Sequence, residues 1–84
     1  MSDEEIGDLA TTAEAAKEML NSAVFNRAFE NMNRSIMDQI LATPPEAEAE
    51  RERLYCMFKA GQMFVQQFAG LINNYELATQ EEVV

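Results

Sequence analysis

The tripeptide Thr43-Pro44-Pro45 constrains this chain more than any other feature. Proline disfavours helical backbone at the residue before it, so a helix arriving from the N-terminal side should end near Ala42. Thr43 is also a good N-cap, and Pro44 suits a first helical position, where a missing N–H costs nothing. Glu46, three residues after Thr43, completes a capping box. A stop and a start sharing one short turn predict an antiparallel helical hairpin.

The flanking sequences carry helical periodicity. The segment Ala23–Ala42 places Phe25, Ala28, Phe29, Met32, Ile36 and Ile40 on one stripe, which is a 3.6-residue period. Val24, Met37 and Leu41 widen that stripe. The segment Pro44–Asn73 repeats Ala47, Leu54, Gly61 and Phe68 every seven residues, and Tyr75 continues the row. Met57, Phe64 and Leu71 are expected at d-like positions, flanked by Phe58, Val65 and Ile72. That is a three-in-seven face, wider than a coiled-coil seam. Glu48 with Arg51 and Glu50 with Arg53 are spaced for ion pairs, and Asn73-Asn74 is a plausible C-cap.

A shorter leading helix is expected from Thr12 to Leu20, capped by Thr11 with Glu14, and Asn21-Ser22 offers a break or a new N-cap. At about 1.5 Å per residue the second helix is about 30 Å long and the third about 43 Å. The shorter cannot cover the longer. Either the leading helix folds back against the far end of the third, or a second chain covers it. The expected fold is therefore all-α: a hairpin of two long antiparallel helices with a short N-terminal helix, in a three-helix or dimeric bundle. Residues 1–10 read as an acidic tail, 11–75 as the hairpin domain and 76–84 as a mobile acidic tail.

Composition narrows the function. The 84 residues include no His and one Cys, so neither an internal disulfide nor a structural zinc site is expected. The commonest general base is missing, and Cys56 has no histidine partner; it reads as a small packing residue. Helical di-metal sites need Glu-x-x-His, which is absent. No catalysis, cofactor or metal is expected. The net charge of −9 disfavours binding to phosphates. Residues 1–8 carry four acids and no base, and 76–84 carry three, so seven of the nine charges lie at the ends. This distribution also weakens mimicry of nucleic acid, leaving solvated tails as the simpler account. An acidic start and no long apolar run point to a protein made in the cytoplasm, with neither a leader nor a membrane span.

What remains is contact with other proteins. Gly61 lies on the apolar face, where a helical glycine costs about 1 kcal/mol against Ala. It reads as a notch for a bulky side chain, Phe29 or Met32, with a kink or a partner's contact point as the alternative. Phe58, Gly61, Phe64, Phe68 and Leu71 form the expected core or self-association face. Tyr55 and Met63 are the place to look for a second patch. Met32 and Met57 are expected in the core, while Met19, Met37 and Met63 fit either core or an adaptable surface. Gln62, Gln66 and Gln67 are expected to face solvent.

From residue 10 to 78 the chain resembles short helical accessory proteins of tailed bacteriophages, associated with virions or their morphogenesis. The resemblance is carried by the Ala-rich opening before Leu20, the run Val24-Phe25-Asn26-Arg27-Ala28-Phe29, the Thr43-Pro44 turn, the block Arg51-Glu52-Arg53-Leu54-Tyr55, and Leu77-Ala78. It implies a viral protein in the host cytoplasm or virion that works by protein–protein contact, structural or morphogenetic. A small acidic inhibitor of a host enzyme or defence complex is the alternative, and a cellular helical adaptor a third reading. Protein partners and a homo-oligomer, a homodimer above all, are expected.

Overall fold

The computed structural model describes residues 2–83, and they form three helices: α1 (Asp3–Asn21), α2 (Ala23–Ala42) and α3 (Glu48–Val83). The all-α class is as expected. Met1 and Val84, the ends of the two expected tails, lie outside the described residues.

Helix α1 starts well before Thr12. Ser2 is its N-cap, its hydroxyl accepting from the Glu5 backbone N–H at 3.2 Å. Asp3, Glu4 and Glu5 occupy the first turn, where acids suit the positive end of the helix dipole. The acidic residues expected in a tail thus start a helix. Thr11, expected as the cap, is mid-helix, and its hydroxyl donates to the Gly7 carbonyl at 3.0 Å.

One residue separates α1 from α2. Ser22 is extended (φ −70°, ψ 125°), closing α1 and capping α2 through a bond from the Phe25 N–H to its hydroxyl. Asn26 holds the joint, its amide donating to the carbonyls of Leu20 and Ser22, both at 2.9 Å. Helix α2 has the expected ends.

The second connection differs from expectation. Thr43 closes α2 instead of opening α3, and its hydroxyl donates back to the Gln39 carbonyl at 2.7 Å. Pro44 cannot begin a helix because Pro45 follows it and restricts its backbone. Instead the Ala47 N–H donates to the Pro44 carbonyl at 3.0 Å, a turn with Pro45 at its second position. Helix α3 follows from Glu48. Arg51 turns back to donate to the carbonyls of Pro44 (2.6 Å) and Pro45 (2.9 Å) rather than pairing with Glu48. The Glu50–Arg53 pair forms at 2.7 Å on an exposed surface, where such pairs contribute little.

Helix α3 continues through Asn73-Asn74, so these residues are not its cap. Its 36 residues span about 54 Å, close to the 57 Å length of the molecule. Phe25 meets Phe68, Met32 and Phe29 meet Gly61, and Ile40 lies beside Tyr55, so α2 and α3 run antiparallel. Helix α1 follows α2 along the distal half of α3, near Tyr75. It approaches α3 more closely than α2 does. Ala13, Ala16 and Ala78 are buried there, and alanine contacts allow helix axes to come near 8 Å apart.

The resulting core is thin. Among the described residues only Ala13, Ala16, Ile36, Leu54 and Ala78 are buried. The radius of gyration is 18.1 Å, against about 12 Å for a compact chain of this length. Gly7 and Gly70 sit within helices with open space where a Cβ would go. Replacing both with Ala should raise the thermal midpoint by roughly 5 °C or more, since each change is worth about 0.5–1 kcal/mol. A calorimetric scan checks this.

Candidate interaction groove

Which side chains α3 spends on its own chain follows from its spacing. Beside Gln62 and Ala78, which flank it, the half-buried or buried positions form one row: Arg51, Leu54, Phe58, Gly61, Val65, Phe68, Ile72, Tyr75 and Thr79. They alternate steps of three and four, the seam one partner helix can cover. The face is wider than that seam, so one row stays outside it. That row is Met57, Phe64 and Leu71, all exposed, with Phe64 at 60%. The expected d-like positions are therefore the open ones.

On α2 the seam uses Phe25, Phe29, Ile36 and Ile40. Ala28 and Met32 flank it on the same side as Phe64. Together these residues wall an open apolar groove of about 310 Å³ whose floor includes Gly61 and Val65. A Cβ on Gly61 would lie 2.9 Å from the Met32 methyl and 3.8 Å from the Phe29 ring. The glycine is the notch for those two side chains. Phe64 and Phe25 both meet Phe68 edge-on, at 5.4 and 5.6 Å between ring centres, a favoured aromatic geometry.

The expected face is therefore divided. Phe58, Gly61 and Phe68 turn toward the chain's own helices, and Phe64 and Leu71 turn outward. Tyr55 and Met63 are both exposed but do not form one patch. Eight residues apart, they differ by about 12 Å along the helix and about 80° around it. The Tyr55 ring carries the Lys59 ammonium at 6.0 Å and borders Glu48, Arg51 and Glu52. Gln66 and Gln67 are exposed as expected, while Gln62 is half-buried.

Several packing expectations are corrected. Met32 and Met57 are exposed rather than core, because the seam runs beside them. Val24, Met37 and Leu41 lie outside the α2 seam and are exposed. Cys56 is exposed on the outer side of α3, not packed. Asn33 was not singled out in the sequence, yet its side-chain oxygen is buried without a hydrogen-bond partner among the described residues. Such an atom costs desolvation and further thins the core.

The electrostatics are plain. Arg53 is held above its ordinary value by the hydrogen bond and charge of Glu50, and it also donates to the Met57 sulfur at 3.8 Å. None of the side chains lining the groove is charged. Among the described residues, no three His, Cys, Asp or Glu side chains come together as a metal site. No described helix is long and apolar enough to cross a membrane. No family model matches the chain, and no curated protein or solved structure matches it either.

Proposed function

We propose that this chain is a non-enzymatic protein–protein interaction module, built as a helical hairpin and serving a bacteriophage as a virion or assembly-associated protein. The observation that carries the interaction reading is the uncharged groove beside Phe64. An aromatic side chain 60% exposed beside an apolar groove is the kind of anchor that dominates interfaces. The thin core supports it too, because a chain with five buried residues among those described gains stability by adding a partner. On this reading the partner is protein, and neither nucleic acid, a membrane, a cofactor nor a metal takes part. The phage assignment rests on the sequence resemblance.

Sedimenting infected lysates through a density gradient tests the virion role. The expected result is this chain in the particle band at fixed stoichiometry to the major structural proteins. Recovery only in the particle-free fraction, with loss of a host enzyme's activity there, would favour the inhibitor reading.

A further inference from the structure

We infer that the groove receives the same groove of a second copy of this chain, forming a two-fold dimer in which each Phe64 packs into its partner's groove. This rests on the interaction-module reading and names the occupant.

Surface area is the first argument. The chain exposes 6357 Å², whereas a compact protein of its mass exposes about 5,000 Å². The excess of roughly 1,300 Å² exceeds the approximately 800 Å² that each partner buries in an interface of standard size. The chain therefore has surface to spare for a standard interface with a second copy.

Shape is the second argument. A two-fold interface joins a patch to itself, so the patch must hold both a projection and a recess. Here they are adjacent: Phe64 projects from α3, and because the missing Cβ of Gly61 lets Met32 and Phe29 sink toward α3, an open apolar groove is left beside it. Charge is the third. Two chains of net charge −9 repel, and an uncharged patch is where they can meet. Salt should consequently tighten the dimer by screening this repulsion, whereas a basic foreign partner would be weakened.

The test measures solution mass by light scattering at about 5 and about 100 μM, in low and high salt, with thermal melts alongside. Met63 is a matched control for Phe64: the two are adjacent and similarly exposed, at 61% and 60%, but about 100° apart around α3. The wild type should show twice the 9.5 kDa of the chain at about 100 μM, more so in high salt. Met63→Asp should match it, and Phe64→Asp should raise the dimer dissociation constant about thirtyfold or more. If Phe64→Asp fails to fold alone, Ala28→Glu, at an exposed position on the α2 wall, should weaken the dimer without touching a buried residue. Equal effects of Phe64→Asp and Met63→Asp, or weakening by salt, would overturn the assignment. A wild-type monomer melting without cooperativity would overturn the second copy and leave the groove to a foreign partner. A monomer melting cooperatively and identically to Phe64→Asp would overturn the interaction reading as well.

Discussion

Replacing Leu54 with Ala should cost about 3 kcal/mol and bring the chain close to unfolding at room temperature. Leu54 is the only large side chain among the described residues with almost no exposure, 1%. The register set by Met32 and Gly61 puts it between Ile40 and Ile36, the latter being the other buried aliphatic residue larger than Ala. Leu→Ala changes at such sites cost about 2–5 kcal/mol, the spread reflecting how far neighbours collapse into the gap. Domains of this length have roughly 4–12 kcal/mol in total, and the few buried residues here place this chain at the low end. With a urea slope of about 1 kcal/mol/M, the midpoint should fall by about 3 M. Leu41→Ala, at a position 77% exposed, should change stability by no more than about 0.5 kcal/mol.

The second large effect concerns α1. Ala13 is 1% exposed, and it lies where α1 and α3 approach each other through alanines. Ala13→Glu would force a long carboxylate into a contact that accepts only a methyl group, with no buried cation among the described residues to pair with it. Overpacking and an unpaired buried charge together should cost about 3 kcal/mol or more. The chain can escape that cost by releasing α1 at the Ser22 joint. Hydrogen exchange should therefore show the Asp3–Asn21 amides exchanging fast while the α2–α3 pairing near Leu54 keeps protection. Thr12→Glu, on the exposed side of the same turn, should leave the pattern unchanged.

Much of this fold is legible in the residues, and the misreadings have physical causes. The ends of α2 follow from Ser22 and from the proline pair. The Gly61 notch follows from the cost of glycine on an apolar helix face. The start of α1 follows Ser2 with Glu5 rather than the expected Thr11 with Glu14, although both fit the same capping pattern. The spacing of Ile6, Leu9, Ala13, Ala16 and Leu20 in steps of three and four decides for the first. Four acids at that end read as a tail, yet three of them, Asp3, Glu4 and Glu5, stand in the first turn, where a helix dipole favours them. The start of α3 was hidden because Pro44 alone suits a helix start, while Pro44 before Pro45 does not. Its far end passes Asn73-Asn74 because α1 packs there, a tertiary effect no local signal carries.

The groove was half legible. A three-in-seven face announces that α3 has more apolar surface than one helix covers. Which row stays open depends on how α2 and α1 seat themselves, and a one-row rotation exchanges Phe58 with Phe64. Met32 and Phe29 declare the side, because the Gly61 recess draws them in.

The most direct test of a core completed by a second chain is the thermal midpoint at about 1 and about 100 μM, followed by far-ultraviolet circular dichroism. For a folded dimer melting to unfolded monomers, a hundredfold change in concentration is worth about 2.7 kcal/mol. Spread over the unfolding entropy of two chains, about 2.1 cal/mol/K per residue, it should raise the midpoint by about 8 °C. A cooperative melt with the same midpoint at both concentrations would contradict the dimeric core.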